Sequence, residues 1–338
     1  MSLGVSVVVC CHNSERLLPE TLRALAAQRF ERPVEYEVIV VDNASTDRTA
    51  QVAAGTWPQT QAARLRVVSE PKLGLSQARR RGLLEARHEI VSFVDDDNRV
   101  CETWVSRAAE ILTQRPEVGA CGGENLPDAE APLPSWFPAA SYSYAVGAQG
   151  AEAGDITDTR GYLWGAGLTV RAEALRGLLR NGFASRLRDR QGTELSSGGD
   201  TELCFALRLA GWRLWYDPGL RLRHYLPASR LTWEQARRLN AGFGRASVRL
   251  DPYEIALGPQ GARVRRDWLW RTAATLKQLL RHGVKLPLSQ LRSMEGDPEA
   301  LTIEQEAARL REMLRARKGY RQAVLDVAQA PWRAPRPH

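Results

Sequence analysis

The sequence has no run of about 18 consecutive apolar residues, the length that a membrane-spanning helix requires. Its apolar start, GVSVVVCC, is short, has no basic segment ahead of it and leads directly into HNSE. We therefore interpret this start as a first β-strand rather than a secretion signal. The absence of both features favours a cytoplasmic protein.

Cysteine is also scarce in this chain. The five cysteines are odd in number and scattered, and none forms the C-x-x-C spacing that indicates a zinc site or a redox pair. We interpret them as reduced, buried side chains that act as small hydrophobic residues in a reducing compartment.

Positive charge is concentrated in one part of the chain, although the whole carries a formal net charge of +8. From Arg230 onward there are 21 Lys and Arg residues against 11 Asp and Glu, a charge of +10. Residues 1–229 contain 26 Lys and Arg residues against 28 Asp and Glu, a charge of −2. This asymmetry predicts two regions with different roles, which we place at residues 1–230 and 231–338.

The first half of the sequence alternates between continuous apolar runs, typical of buried strands, and segments in which apolar residues recur at helical spacing. Apolar, β-branched runs end at Cys11, Asp42, Glu70 and Asp95, and a fifth run covers residues 117–123. Segments with helical spacing lie between these runs, at about residues 15–28, 46–55, 75–87 and 101–114. This alternation predicts an α/β fold with a mostly parallel sheet and helices on both faces.

Polar residues follow three of the predicted strands. His12 and Asn13 come after the first strand, Asp42 closes the second, and Asp95 and Asp97 stand at the end of the fourth. Ligands of such sheets bind at the carboxyl ends of the strands. The Asp95-x-Asp97 spacing lets two carboxylates on a tight turn reach one divalent cation, and Mg²⁺ and Mn²⁺ both prefer oxygen ligands. An acidic turn that caps the next helix is the alternative interpretation.

The second part of the sequence is less regular. Residues 124–161 are rich in Pro, Gly and Ala, which predicts a functional loop or disorder. GAGLTVRAEALRGL predicts a strand followed by a helix, and RDRQGTELSSGGD predicts a flexible stretch before the helix TELCFALRLAGW. WRLWYDPGLRLRH predicts two short strands around an Asp217-Pro218 turn.

Four segments stand in an order and spacing typical of one enzyme family. They are VSVVVCCHNSERLLPETLRALAAQ, YEVIVVDNASTDRTAQV, EPKLGLSQARRRGLLEARHEIVSFVDDDN and GGDTELCFALRLAGWRLWYDPGLRLRH. With them, the chain resembles family 2 glycosyltransferases that have the A-type, nucleotide-sugar-binding fold. The resemblance covers about residues 4–230.

The resemblance implies a nucleotide-sugar site at the carboxyl edge of the sheet. It implies that Asp42 accepts a hydrogen bond from the base and that His12 stacks on the base, where the family usually has a tyrosine. Asn13 is placed beside His12 in the substrate site, and Arg79 is placed near the diphosphate as a fixed cation. A loop histidine and a helix-surface charge are the competing interpretations of His12 and Arg79.

The resemblance also implies a divalent cation, Mn²⁺ or Mg²⁺. Asp97 would bind the cation, while Asp95 would contact the ribose and help to position the cation. His224 would be a further metal ligand, since imidazole suits Mn²⁺. A purely structural histidine is the competing interpretation of His224.

The resemblance assigns the catalytic base to Asp200, which would take the proton of the attacking hydroxyl group. Glu202 is the second candidate and is placed in the substrate site with it. An N-cap role for Asp200, in a helix that begins at Thr201, is compatible with the same sequence. Trp164 is interpreted either as a ring that stacks on a sugar or as packing beneath a loop.

The C-terminal third predicts helices, interrupted at Gly242, Gly244, Gly258 and Gly261. Around RVRRDWLWRTAATLKQLLRHGVKLPL, apolar residues recur at helical spacing beside arginines and lysines, among them Arg265 and Arg266, a pattern typical of a helix on an anionic membrane surface. Packing of this helix on the catalytic region is the alternative. EQEAARLREMLRARKGYRQAVLDV predicts a second amphipathic helix for internal packing or homo-oligomer formation, and APWRAPRPH is expected to fray.

We therefore predict an inverting, metal-dependent glycosyltransferase that moves a single sugar from a nucleotide-sugar, with UDP favoured, to a saccharide or lipid-linked acceptor. Its role would be cell-surface glycan or polysaccharide synthesis, in the cytoplasm or peripherally on the cytoplasmic face of the membrane. A nucleotidyltransferase is one alternative, but it would need a glycine-rich phosphate loop after the first strand. A nucleic-acid-binding protein that uses the basic region is the other, and we expect no nucleic acid because the ligand edge of the sheet is acidic.

Overall fold

The computed structural model describes residues 4–58, 63–187, 198–258, 268–283 and 295–334. Within these residues the strands are β1 (Val5–Cys11), β2 (Tyr36–Asp42), β3 (Arg64–Ser69), β4 (Ile90–Asp95), β5 (Asn98–Val100), β6 (Val118–Ala129), β7 (Gly154–Asp155), β8 (Thr169–Arg171) and β9 (Arg213–Leu226). The helices are α1 (Leu18–Ala26), α2 (Thr49–Thr56), α3 (Leu75–Glu85), α4 (Trp104–Gln114), α5 (Phe137–Ala140), α6 (Ala172–Arg180), α7 (Gly199–Leu209), α8 (Trp233–Leu257), α9 (Trp268–Gly283) and α10 (Pro298–Ala328). Short 3₁₀ helices cover Ser141–Tyr144 and Ala228–Arg230.

The strands form one mixed sheet in the order β3-β2-β1-β4-β8-β6-β9-β5, with β7 beside β9. The pairs β1–β2, β1–β4 and β2–β3 are parallel, as the alternating pattern predicts. The antiparallel pairs β4–β8, β6–β8, β5–β9 and β7–β9 extend this parallel part. The α/β prediction is confirmed, but the sheet is more mixed than the sequence pattern indicates.

Helices cover both faces of β1, which explains its unbroken apolar sequence. Val5, Val7 and Val9 belong to one core cluster with Leu22 of α1 and Trp104 of α4. On the other face lies α3, where a Cβ added to Gly82 would sit 2.2 Å from Cγ1 of Val8. Glycine at this position therefore allows α3 to approach the strand closely. The approach also holds the first turns of α3 near the carboxyl edge of the sheet.

The predicted pair of short strands around Asp217 and Pro218 is wrong, because β9 runs through both residues without a reversal. The buried carboxylate of Asp217 accepts a hydrogen bond from the backbone N–H of Gly219 at 2.8 Å. It also accepts one from Nη2 of Arg107 at 2.7 Å. These contacts hold the chain extended past the proline.

The irregular segment predicted at residues 124–161 contains more regular structure than expected. β6 continues to Ala129, and α5, a 3₁₀ helix and β7 follow within the segment. The predicted strand and helix of GAGLTVRAEALRGL are confirmed as β8 and α6. The predicted flexible stretch lies largely at residues 188–197, outside the described residues.

The chain forms two compact units that are made of interleaved segments. The first unit contains the described residues of Met1–Asp128, Ala145–Asn181 and Gly211–Tyr225. The second contains those of Ala129–Tyr144, Gly182–Ala210 and Leu226–His338. This division does not coincide with the boundary at residue 230 that the charge pattern predicts, because two earlier segments group with the C-terminal helices.

Long helices dominate the second unit, and two of the predicted interruptions are wrong. α8 continues through Gly242 and Gly244 and ends at Leu257, one residue before Gly258. A Cβ added to Gly244 would lie 2.0 Å from the carbonyl oxygen of Gln305. Glycine here therefore lets the backbones of α8 and α10 approach each other instead of breaking the helix. Gly261 lies outside the described residues.

A buried charge cluster ties three helices of this unit together. The Asp251 side chain of α8 is fully buried. It accepts two hydrogen bonds from Nη2 of Arg309, at 2.8 and 3.0 Å, and one from the hydroxyl of Tyr320 at 3.0 Å. Arg271 of α9 pairs with the same carboxylate. Burial and the charge of Asp251 raise the pKa of Tyr320 well above its ordinary value.

The prediction that the last nine residues fray is wrong for Trp332. Its buried ring packs edge-on against Phe183, with centroids 5.5 Å apart, and stacks on Tyr253 at 6.1 Å. The backbone N–H of Ala334 donates to the carbonyl of Leu209 at 3.0 Å. Aromatic packing therefore orders this segment as far as residue 334.

In the described part of the chain, no helix combines the length and the apolar character needed to cross a membrane.

Candidate active site

The strand register brings the predicted site residues of the first unit to one edge of the sheet. Cys11 lies opposite Asp42 in the β1–β2 pair, and Cys10 lies opposite Asp95 in the β1–β4 pair. Three parallel strands therefore end together, as the sequence pattern predicts. The loops that leave these ends carry the polar side chains described next.

His12 and Asn13 join the loop after β1 to the loop after β2. Nδ1 of His12 lies 2.8 Å from the carbonyl oxygen of Asn43, so Nδ1 carries the proton that this acceptor receives. Asn13 adopts φ 55°, which asparagine tolerates better than most residues. Its Oδ1 accepts from the backbone N–H of Thr46 at 2.8 Å, and its own N–H donates to Oγ of Ser45 at 3.0 Å. Asn13 thus positions the loops, while the imidazole of His12 is exposed.

Asn43 is a positioning residue that the sequence predictions did not include. The half-buried Asp42 accepts a hydrogen bond from the backbone N–H of Ser45 at 3.2 Å, which closes a local turn. The next side chain, buried Asn43, accepts from the N–H of Gly74 at 2.8 Å and donates to the carbonyl of Lys72 at 2.8 Å. It therefore holds the chain entering α3 against the end of β2. In the sequence, Asn43 looks like an ordinary polar loop residue, so no local signal marks this role.

Arg79 projects from α3 toward the carboxyl end of β4. Its Nη2 lies 3.8 Å from Oδ1 of Asp95 and donates to the carbonyl of Gly165 at 3.4 Å. Its guanidinium also lies 5.6 Å from the ring centroid of Phe93. The structure thus brings Arg79 and Asp95 together and holds a fixed positive charge at this edge.

An antiparallel strand pair places His224 beside Asp97, although they are far apart in sequence. Asn98 of β5 lies opposite His224 of β9, and the backbone N–H of Tyr225 donates to the carbonyl of Asp97 at 3.0 Å. Nε2 of the buried His224 lies 3.5 Å from Oδ2 of Asp97. The other carboxylate oxygen accepts from Nδ2 of Asn98 at 2.6 Å. Among the described residues, Asp97 makes the only polar contact with the imidazole ring.

The donor set at Asp97 and His224 fits a hard divalent cation. Two ligands that occupy adjacent positions of an octahedral ion with bonds of about 2.1 Å are separated by roughly 3 Å, close to the 3.5 Å between these donor atoms. Carboxylate and imidazole together suit Mn²⁺. No cluster of three or more His, Cys, Asp or Glu side chains suited to a metal occurs in the described ranges. Water and substrate oxygen atoms usually complete the shell of such a cation.

Asp96, the middle residue of the acidic triplet, has a structural role that the sequence predictions did not include. It accepts a hydrogen bond from the hydroxyl of Ser14, and its backbone carbonyl accepts from Oγ1 of Thr21 at 2.7 Å. The pKa of Asp96 is raised to about 7, mainly by burial and to a smaller extent by the negative charge of neighbouring Asp97. Asp96 thus fastens the β4 turn to the start of α1.

Trp164 is buried, and its ring packs beneath an arginine. The guanidinium of Arg160 lies 4.5 Å from the Trp164 ring centroid and 4.8 Å from that of Tyr162. The backbone N–H of Trp164 donates to Oε1 of Gln149 at 2.7 Å. This environment favours packing over sugar stacking, and the substrate role of Trp164 stays a prediction.

Asp200 belongs to the second unit and lies in the first turn of α7. The helix begins at Gly199, with Gly198 at φ 95° as its cap, so the predicted N-cap role of Asp200 is wrong. Oδ1 of the half-buried Asp200 accepts from the backbone N–H of Thr201 at 2.9 Å. A carboxylate in the first turn also interacts favourably with the positive end of the helix. The role of Asp200 as a base stays a prediction.

Glu202 is fully buried, and its carboxylate is saturated with donors, which does not fit the predicted contact with substrate. Oε1 accepts from the backbone N–H of Arg186 at 2.7 Å and from the hydroxyl of Tyr253 at 2.8 Å. Oε2 accepts from the hydroxyl of Ser185 and from the N–H of Leu187 at 3.4 Å. A carboxylate offers about four lone-pair positions, and these contacts occupy them. Glu202 therefore holds residues 185–187 against α7 and α8.

The chain is similar to known glycosyltransferases in sequence. Glucosyl-dolichyl phosphate glucuronosyltransferase of Haloferax volcanii is 24% identical over 227 residues, which cover 66% of this chain and 70% of that protein. Succinoglycan biosynthesis protein ExoM of Rhizobium meliloti is 25% identical over 245 residues, which cover 71% of this chain and 74% of that protein.

A solved structure shares the fold. The mannosyltransferase PcManGT of Pyrobaculum calidifontis, solved in complex with GDP-Man and Mn²⁺, aligns with a TM-score of 0.58 at 18% identity. The alignment covers 94% of this chain and 87% of that chain. The predicted A-type glycosyltransferase fold with a helical C-terminal region is therefore confirmed.

The sequence model described as "Glycosyl transferase family 2" matches residues 6–162, which contain β1 to β4 and the site residues from His12 to Asp97. This match and the similar proteins agree with the resemblance read from the sequence motifs. The chain therefore contains a glycosyl transferase family 2 domain at residues 6–162 and is a glycosyltransferase.

Proposed function

We propose that the protein transfers one sugar from a nucleotide-sugar, in the first instance a UDP-sugar, to a saccharide or lipid-linked acceptor and inverts the anomeric centre. The observation that carries this proposal is the pairing of Asp97 with His224 at the edge where β1, β2 and β4 end. The glycosyl transferase family 2 domain favours this function over nucleotidyl transfer and over nucleic-acid binding.

The first unit supplies the donor site in this proposal. Asp97 and His224 would hold a divalent cation, Mn²⁺ or Mg²⁺. When bound, the cation would offset the negative charge of the nucleoside diphosphate leaving group. Arg79 adds a fixed positive charge for the diphosphate, and Asp42 accepts a hydrogen bond from the base. Further donor contacts would come from the exposed ring of His12, from Asn13, which orders the surrounding loops, and from Asp95, which would contact the ribose.

The second unit supplies the base for the acceptor. A sugar hydroxyl is a weak nucleophile, so a carboxylate must accept its proton as it attacks the anomeric carbon. We assign this role to Asp200, since Glu202 has no free acceptor position. A single displacement of this kind inverts the anomeric centre, so an α-linked donor gives a β-linked product.

Calorimetric titration of UDP and GDP, each with and without Mn²⁺, tests the donor site. We expect one nucleotide to bind in the presence of Mn²⁺ and to bind roughly 100-fold more weakly without it, because cation–phosphate contacts are worth several kcal/mol. The nucleotide that binds identifies the donor class. A folded protein that binds neither nucleotide in the presence of Mn²⁺ would contradict the donor-site proposal.

The outward face of α9 favours a peripheral position on the cytoplasmic face of a membrane. Three leucines four or seven positions apart lie on this face, with exposed fractions of 64% for Leu269, 44% for Leu276 and 59% for Leu280. The exposed charges Lys277 and Arg281 lie next to them.

The inward face of α9 combines polar contacts with the packed ring of Trp268. Thr275 is buried and accepts a hydrogen bond from Nε of Arg309 at 3.2 Å, and Nδ1 of His282 lies 2.9 Å from Oε1 of Glu299. The leucines of the outward face are thus exposed, whereas a typical amphipathic helix buries its apolar face. We propose that the leucine face rests on an anionic lipid surface, to which the two cations are complementary. Arg265 and Arg266 of the predicted basic helix lie outside the described residues.

Sedimentation with lipid vesicles tests this membrane contact. We expect binding to phosphatidylglycerol vesicles that weakens roughly 30-fold on pure phosphatidylcholine, since each cation near an anionic surface contributes about 1 kcal/mol. The double variant Leu276→Glu, Leu280→Glu should lose binding, whereas Leu84→Glu, which alters an equally exposed leucine of α3, should not. Equal loss in both variants, or no binding by the wild type, would refute the proposal. Concentration-dependent dimerisation lost only in the double variant would assign the face to a second copy.

A further inference from the structure

The second unit contains a cavity of about 1150 Å³ that none of the assigned roles uses. Its walls come from residues 184–187, from α8 and from α10. Four arginines line it, namely Arg186, Arg245, Arg249 and Arg315. Among the described residues of the lining, Glu312 carries the only carboxylate.

The ion pairs around this cavity leave an excess of positive charge. Glu312 is shared by Arg249 at 3.2 Å and Arg315 at 3.7 Å, so one carboxylate faces two guanidinium groups. Arg186 pairs with Asp326 at 3.3 Å. Arg245 is exposed and makes no ion pair within the described ranges. Concave walls of low dielectric strengthen the potential of such a cluster for an anion.

The cavity borders the helix that carries the proposed base. A Cβ added to Gly198 would lie 3.4 Å from Cδ1 of Leu187 and 3.5 Å from Cβ of Ala246, and both of these residues line the cavity. Gly198 immediately precedes α7, and Asp200 follows in the first turn of that helix. An anionic group in the cavity would therefore lie beside the segment from which Asp200 projects.

We propose that this cavity binds a phosphate or diphosphate group of the acceptor, so that the enzyme prefers phosphorylated acceptors. Guanidinium groups recognise phosphate through paired N–H donors, and several of them around one cavity favour a group with at least two negative charges. The link to catalysis rests on the proposed role of Asp200. The anion site itself rests only on the cavity and its arginines.

Titration with inorganic pyrophosphate in EDTA tests the anion site. EDTA removes divalent cations, so the donor site described above does not retain the probe through a metal. We expect binding of one pyrophosphate by the wild type and equally by Asp97→Asn. The variant Arg245→Gln, Arg315→Gln should bind at least tenfold more weakly, because it removes two of the four guanidinium groups that would donate charge-assisted hydrogen bonds to the anion. The control is Arg238→Gln, an arginine of α8 that pairs with Glu234 and does not line the cavity.

Three outcomes would overturn the proposal: no pyrophosphate binding by the wild type, equal affinity in the double arginine variant, or loss of binding in Asp97→Asn. Thermal melting confirms that the variants fold. If nucleotides fail to bind with Mn²⁺ while pyrophosphate binds as expected, the donor-site proposal fails and the anion site stands. If nucleotides bind with Mn²⁺ while pyrophosphate does not bind, the anion-site proposal fails and the donor-site proposal stands.

The same variants identify the source of the phosphate. Geranyl diphosphate represents a lipid-linked acceptor, and glucose 1-phosphate represents a soluble one. The double arginine variant should bind both ligands more weakly than the wild type does. The ligand that the wild type binds more tightly indicates the acceptor class. In a transfer assay, the double variant should raise the KM of the phosphorylated acceptor at least tenfold while the KM of the donor stays unchanged. An unchanged acceptor KM would contradict the link between the cavity and the reaction.

Discussion

Replacement of Asp97 with asparagine is expected to abolish the Mn²⁺-dependent part of nucleotide binding and to lower the transfer rate on the order of 1,000-fold. Asparagine keeps the size of the side chain and an oxygen that can accept from Nδ2 of Asn98. It removes the negative charge that pairs with His224. Lewis-acid stabilisation of a leaving group is worth several kcal/mol, and about 1.4 kcal/mol corresponds to a tenfold change in rate. The expected loss follows from these values.

Calorimetry and initial-rate measurements on the same preparation check this result. The matched control is Asp155→Asn, which removes a carboxylate of the first unit that pairs with Arg213, away from the Asp97–His224 pair. We expect the control to keep Mn²⁺-dependent binding. An Asp97→Asn protein that is folded and still binds nucleotide more tightly with Mn²⁺ would contradict the assignment of Asp97 as a metal ligand.

Replacement of Asp200 with asparagine is expected to lower kcat by roughly 100- to 10,000-fold, the range that loss of a general base produces. The amide oxygen of asparagine can still accept from the N–H of Thr201, so the first turn of α7 is preserved. Donor binding belongs to the first unit in our proposal and should not change. Rate measurements at saturating donor, combined with nucleotide titration, separate these two effects.

The variant Glu202→Gln is a useful comparison because the Glu202 carboxylate lies only two positions from Asp200 in the sequence. An amide cannot accept all four hydrogen bonds that Glu202 accepts, so we expect lower thermal stability, with about 1–3 kcal/mol lost for each donor left unpaired. The folded fraction should keep its kcat. If Asp200→Asn keeps its activity and folded Glu202→Gln loses it, the assignment of the two carboxylates is reversed.

The parts of the site that follow from local sequence pattern were predictable. Apolar runs that end in polar residues located β1, β2 and β4, and parallel pairing then aligned Asp42 and Asp95 with the end of β1. The motif resemblance grouped His224 with Asp97, and the pairing of Asn98 with His224 across β5 and β9 brings the two side chains together. The role of His224 as a metal ligand stays a prediction.

Features that depend on distant contacts were not predictable from the sequence. Asn43 and Asp96 look like ordinary polar loop residues until their buried partners are known. The sequence predicts that the glycines of α8 interrupt the helix, because neighbouring residues in the sequence do not show that α10 packs against Gly244. Similarly, nothing near Trp332 in the sequence indicates that Phe183 packs against it.

The interleaved course of the chain limits how this enzyme can be divided or recombined. The chain passes five times from one compact unit to the other, and the segment that carries Asp200 groups with the C-terminal helices. A cut at residue 230 would separate Glu202 from Tyr253 and Phe183 from Trp332. The buried carboxylate would lose one of its four donors, and the aromatic ring would lose its packing partner. A chimera that exchanges acceptor preference with a relative would therefore have to transplant residues 129–144, 182–210 and the C-terminal helices as one set.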